Sequence, residues 1–110
     1  MNIHDVPVET VRRVNAYLRA APYRTTGRYD WRIPALVAES WVTAGASPIY
    51  TNDLARRFGA SRRTICTAIQ RLVAGGVIRQ AGTSADGRRL YEPCLDIGEA
   101  AFGPEQRHVG

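Results

Sequence analysis

This chain predicts a mainly α-helical domain carrying a small β-hairpin, an α+β class, on the strength of three observations. Thr51 to Ile78, TNDLARRFGASRRTICTAIQRLVAGGVI, divides into two short amphipathic helices across a Gly59-Ala60 turn. Val77 to Gln80 and Arg88 to Tyr91 alternate as short strands around a turn-rich segment that ends in Asp86-Gly87. The 110 residues, 45% of them hydrophobic, are enough for one modest core and too few for a separate ligand domain.

The first helix is expected over residues 5–21. After Asp5 and Pro7, the positions Val8, Val11, Val14, Leu18 and Ala21 keep helical spacing, with Glu9 in the first turn and Arg19 in the last. Ala21 to Asp30, APYRTTGRYD, reads as a loop, and a second helix begins near Pro34, since the residue before a proline avoids the helical region. Leu36, Val37 and Trp41 would face the core, and Gly45 would close this helix. Aromatic and cationic residues interleave along the loop as Tyr23-Arg24, Arg28-Tyr29 and Trp31-Arg32. They either anchor the loop on the core, the reading preferred here, or form an arm that stacks on bases. Ser47-Pro48-Ile49-Tyr50 would be a short strand leading into the helix pair.

In that pair, Thr51 is the expected N-cap of a helix whose apolar positions are Leu54, Ala55 and Phe58, stopped by Gly59 in the left-handed conformation. Ser61 caps the next helix, which keeps Ile65, Ala68, Ile69 and Leu72 on one face. Its other face carries Arg62, Arg63, Cys66, Thr67, Gln70 and Arg71. A buried stripe backed by a cationic, hydrogen-bonding stripe suits a helix that rests on a core and faces a nucleic-acid groove. An ordinary helical hairpin with a solvated polar face is the plainer reading. Gly75-Gly76 ends the second helix, and the hairpin that follows carries Arg88 and Arg89 near its tip. Asp96 to Phe102 can make one or two further helical turns offering Ile97, Ala100 and Phe102 to the core or a partner, and residues 103–110 are expected to be a poorly ordered tail.

Charge is concentrated in the same region. From Thr51 to Tyr91 eight arginines face two acids, an excess of six, whereas the first fifty residues have an excess of two and the last nineteen a deficit of three. A cationic footprint confined to the helix pair and hairpin is what phosphate neutralisation requires, although RNA, acidic protein or anionic lipid would also meet it. All fifteen basic residues are arginine. That suits bidentate contact with guanine or phosphate, but a GC-rich genome would produce the same bias. No apolar run reaches membrane-spanning length and the first twenty residues lack a signal-peptide core, so a cytoplasmic, nucleoid-associated protein is expected. Cys66 and Cys94 lack metal-site spacing, and His4 and His108 stand near the ends, so neither a metal nor another cofactor is expected. No catalytic constellation is visible, and the expectation is a protein that is not an enzyme.

The residues Thr51, Leu54-Ala55, Phe58-Gly59, Ser61-Arg62, Thr64-Ile65, Ala68, Leu72, Gly76-Val77-Ile78 and Asp86-Gly87-Arg88-Arg89 together resemble the winged helix-turn-helix domain of bacterial transcription regulators, with a pattern similar to the GntR-type and MarR-type families. The resemblance covers residues 48–92, less than half of the single domain expected over residues 1–110. It implies sequence-specific binding of double-stranded DNA by a small transcription regulator. Arg62, Arg63, Thr67 and Gln70 would meet base edges in the major groove, while Ser61, Thr64 and Arg71 would position the helix on phosphates. Cys66 would lie at the same surface, either as a small residue that fits the groove, the reading preferred, or as a site where oxidation would add bulk and polarity at the contact. Arg88 and Arg89 would reach the backbone or the minor groove, and Arg56 and Arg57 would add phosphate contacts. Arg63 departs from the small polar residue often found at its position, which leaves the base preference open. The helix before the motif is extra to a minimal winged domain: pairing of two subunits into a homodimer is expected, with packing onto its own core as the rival. No small-molecule effector is indicated. The alternative function is a winged protein-interaction module, or an accessory DNA-binding protein of a replication or mobile-element complex.

Overall fold

The computed structural model describes residues 6–27 and 29–102, apart from the side chain of Phe102. Asp5, Arg28, the two histidines and the expected tail at 103–110 lie outside the described residues. Within them are α1 (Val8–Ala20), a 3-10 turn (Ala21–Arg24), α2 (Ile33–Ala44), α3 (Thr51–Phe58), α4 (Arg62–Ala74), β1 (Ile78–Thr83), β2 (Arg89–Pro93) and α5 (Asp96–Phe102). This is a mainly helical α+β arrangement with one two-stranded antiparallel sheet. Among the described residues no helix is long and apolar enough to cross a membrane.

α1 lies within the expected 5–21 but is shorter, starting after Pro7 and giving way to the 3-10 turn at Ala21, and it turns a different face inward. Val14, Ala16, Tyr17, Ala20 and Ala21 are buried, whereas Val8, Val11 and Leu18 of the expected stripe are exposed. The reason is Tyr17, whose ring outweighs an aliphatic side chain in the area it removes from water. Its hydroxyl donates to the Val77 carbonyl at 2.8 Å, so the polar end is satisfied within the core. α5 covers α1 at very close range: a Cβ on Gly98 would fall 2.5 Å from Ala16 C and 2.7 Å from Tyr17 Cα. Arg13 ties the two helices at their edge, 2.7 Å from Glu99 and 3.5 Å from Asp96. The first helix therefore does pack on its own core, with an apolar flank left outside.

α2 starts one residue before Pro34 and is closed by Gly45 as expected. Val37 is buried, but Ile33, Pro34 and Ala38 carry the rest of its inner face, and Leu36 and Trp41 are only partly covered. The chain before α2 is not all loop, since Ala21–Arg24 forms a 3-10 turn with Pro22 as its second residue.

α3 and α4 form the pair. Thr51 is the first helical residue and Tyr50 stands in the cap position without a side-chain cap bond, so the expected threonine cap is displaced by one residue. Leu54 is buried, with Ala55 and Phe58 packed partly against the core. Gly59 takes φ 65° and ψ 35°, and Ala60 N–H then donates to the Ala55 carbonyl at 2.9 Å, closing the helix end. A β-carbon would disfavour that left-handed conformation, which is why the turn is built on glycine. Ser61 caps α4 by accepting from Thr64 N–H at 3.1 Å, and Ile65, Ala68, Ile69 and Leu72 are buried as their spacing requires.

β1 runs three residues beyond the expected strand end at Gln80, and β2 runs to Pro93. The register pairs Arg79 with Glu92, Gln80 with Tyr91, Gly82 with Leu90 and Thr83 with Arg89, leaving Ala81 as a bulge. Ala81-Gly82-Thr83 looks like loop by composition, yet Gly82 and Thr83 continue the ladder beyond the bulge. Ser47-Pro48-Ile49-Tyr50 contributes a single bridge, Ser47 to Tyr91, instead of a strand. Pro48 has no N–H with which to continue it.

Candidate nucleic-acid interface

The outward face of α4 is centred on Arg63, Thr67 and Gln70, all exposed and opposite the buried stripe. Arg62 and Cys66 lie along one edge of that face, and Thr64 and Arg71 along the other. Cys66 is half-buried. The capping hydroxyl of Ser61 is also 2.9 Å from the Thr64 hydroxyl, so both groups are held at the helix start.

Three elements meet around Tyr50 and Thr51. Arg62 Nε on α4 donates to Thr51 Oγ1 at the start of α3, 3.4 Å away. The guanidinium of Arg88, at the foot of the hairpin turn, lies 5.3 Å from the centroid of the Tyr50 ring. The adjoining Ser47 to Tyr91 bridge fixes this segment to β2, with N–H to O distances of 2.8 and 3.0 Å. The start of α3, the start of α4 and the turn end of the hairpin thus form one continuous surface. Tyr50, 52% exposed at its centre, was not among the residues expected from sequence. The available signal was an aromatic residue immediately before a helix, which a strand reading of residues 47–50 concealed.

The arginines on and around this surface differ in what already occupies them. Among the described residues Arg57, Arg63 and Arg89 have no ion-pair partner, and all are exposed. Arg56 is paired with Asp53 one helical turn back. Arg88 Nε is 3.2 Å from Asp86, whose carboxyl is held below the usual carboxylate range chiefly by the Ser84 hydroxyl. Arg79 lies 2.6 Å from its cross-strand partner Glu92. Arg71, expected at phosphates, is turned to the side: its Nε and Nη2 donate to the two Asp30 oxygens, each at 2.9 Å.

The loop before α2 reaches the far end of α3. Tyr29 stacks on Phe58 with centroids 5.6 Å apart and planes 11° from parallel, and the Arg32 guanidinium is 4.2 Å from the Phe58 centroid. Tyr29 therefore anchors the loop, while Trp31 and Tyr23 remain exposed. A cavity of about 290 Å³ lies beside Tyr50, walled by Ile33, Leu36, Ile49, Arg57 and Tyr91. Cys94 is partly buried, which pushes its thiol pKa up. Among the described residues no three His, Cys, Asp or Glu side chains come together as a metal-ligand set.

No family model matches the chain, and neither the curated proteins nor the solved structures contain a match.

Proposed function

We propose that this chain is a winged helix-turn-helix protein that binds double-stranded DNA in a sequence-dependent manner and acts as a small transcription regulator at the nucleoid. One observation carries the reading: Tyr50 and Thr51 join the arginine-rich start of α4 to Arg88 at the hairpin turn, so that a groove-sized helix and a cationic wing lie on one surface. α4, with thirteen residues, is about 20 Å long at 1.5 Å per residue, and the major groove of B-DNA, about 12 Å wide, admits a helix. Arg62, Arg63, Thr67 and Gln70 read base edges, while Ser61, Thr64 and Arg57 hold the backbone. In the wing, Arg88 is steadied by Asp86 and Tyr50, and Arg89 is the cation free to approach phosphate or the minor groove. Arg56 contributes after release from its exposed pair with Asp53, a small cost in water.

The exposed Val8, Val11 and Leu18 of α1 form the second part of the proposal, a surface that pairs two copies on a two-fold operator. Analytical ultracentrifugation of the wild type and of Val11→Asp/Leu18→Asp tests it: a dimer that dissociates in the variant supports pairing, and a wild-type monomer at binding concentrations removes it. DNA binding itself is tested by fluorescence anisotropy with a labelled duplex between 50 and 200 mM salt. The proposal expects log affinity to fall linearly with log salt, with a slope of about −0.9 per phosphate contacted. An absence of duplex binding at 50 mM salt overturns it and favours a protein-interaction module.

A further inference from the structure

Arg71 lies on the edge of the α4 reading face, yet its guanidinium is taken up within the molecule. Asp30 is 1% exposed, and both of its oxygens accept from Arg71, at 2.9 Å each. Gly27 lies against the pair, and its carbonyl accepts from Asp30 N–H at 3.3 Å. A Cβ on Gly27 would collide with both Arg71 Nη2 and Asp30 Oδ1. The chain therefore passes directly across the ion pair, and only a residue without a side chain permits it. A carboxylate removed from water needs a charge partner and filled lone pairs, and a planar guanidinium held by two parallel bonds supplies both. A DNA phosphate competing for Arg71 would have to leave that carboxylate buried and alone. The Arg71 side chain is still 43% exposed, so it is near enough to solvent to reach phosphate once released.

We infer that Asp30 is a positioning residue that withholds Arg71 from nucleic-acid phosphate, thereby limiting sequence-independent affinity and locking the Tyr29 to Phe58 stack against the end of α3. The inference rests on the DNA-binding reading for its consequence, though the clamp can be observed without DNA. Asp30→Asn weakens the pair and frees Arg71, whereas Arg71→Gln removes the cation. The double variant replaces the ion pair by a neutral hydrogen-bonded one.

The test measures salt dependence on a random-sequence duplex for the wild type and the three variants. Asp30→Asn is expected to steepen the slope by about 0.9, one added phosphate contact, which strengthens binding about 3.5-fold more at 50 mM than at 200 mM salt. Arg71→Gln and the double variant are expected to keep the wild-type slope. A shallower slope for Arg71→Gln overturns the inference, since Arg71 would then already touch phosphate, and so does an unchanged slope for folded Asp30→Asn. Should Asp30→Asn fail to fold, Arg71→Gln and the double variant decide on the same criterion. Two further readouts separate this inference from the proposed function. The wild-type Arg71 Nε–H should be protected from solvent exchange by NMR and lose that protection in Asp30→Asn, and Asp30→Asn should elute from heparin at higher salt than the wild type. If the wild type binds no duplex but both differences appear, the clamp stands and the DNA reading falls. If neither appears, the clamp is wrong.

Discussion

Gly98→Ala is expected to destabilise the protein although it replaces glycine by the best helix former within α5. The new methyl group would stand 2.5 Å from Ala16 C and 2.7 Å from Tyr17 Cα, where carbon atoms in contact sit about 3.5 to 4.0 Å apart. Both are backbone atoms of α1, so no side chain can swing aside, and α5 must retreat by about 1 Å. A gap of that size forfeits roughly a quarter to a half of the dispersion energy across the contact, loosening Leu95 and Ile97 over Val14 and Tyr17. Overpacking of this kind costs about 1 to 3 kcal/mol, against a helix-propensity gain of about 1 kcal/mol. The net is a loss of up to about 2 kcal/mol, which lowers Tm by up to about 15 °C in a domain of this size. Urea and thermal denaturation measure it, with Ala100→Gly on the exposed side of α5 calibrating the propensity alone. If Gly98→Ala raises stability by as much as Ala100→Gly lowers it, the close approach of α1 and α5 is wrong.

Further outcomes follow from the same geometry. Ser61→Ala removes the cap on Thr64 N–H and should cost about 1 kcal/mol by denaturant titration. Tyr17→Phe should cost about 0.5 to 1.5 kcal/mol, a modest amount because the Val77 carbonyl keeps its second donor, Cys94 N–H at 3.0 Å. Burial raises the Tyr17 pKa in the folded state, so its phenol stays neutral while the unfolded chain ionises near pH 10. Wild-type stability should therefore fall as pH rises past about 10, and the advantage over Tyr17→Phe should shrink in that range while holding steady below it. On DNA, Arg62→Ala should cost about 1 to 3 kcal/mol and relax base preference, whereas Arg89→Ala should weaken every duplex alike and reduce the salt slope by about 0.9. Competition binding with matched and mismatched duplexes distinguishes the two effects.

Elements specified by their own residues were readable from the sequence. α1, the α4 stripe and the Gly59 and Ser61 punctuation all rest on signals within one turn of helix. What escaped was set by residues far apart in the chain. Tyr17 can bury its ring because the Val77 carbonyl, sixty residues on, satisfies its hydroxyl, and an aliphatic count along α1 has no knowledge of that. Asp30 and Arg71 are forty-one residues apart, and nothing local distinguishes Arg71 from the exposed cations beside it. Among the candidate site residues, Arg62, Arg63, Thr67 and Gln70 follow from helical phase alone. Tyr50 does not, since its place depends on where the hairpin turn arrives. The β1 extension was missed because strand pairing is a backbone matter, and Ala81-Gly82-Thr83 advertises none of it in its side chains.

Whether α4 and the wing read a DNA sequence is decided by selecting bound sequences from a random duplex pool. A defined site should be enriched, arranged as two inverted half-sites about 34 Å apart, with the enrichment lost on replacing Arg62 and Arg63 by alanine. A pool that emerges unenriched, with no retention of duplex even at low salt, would contradict it.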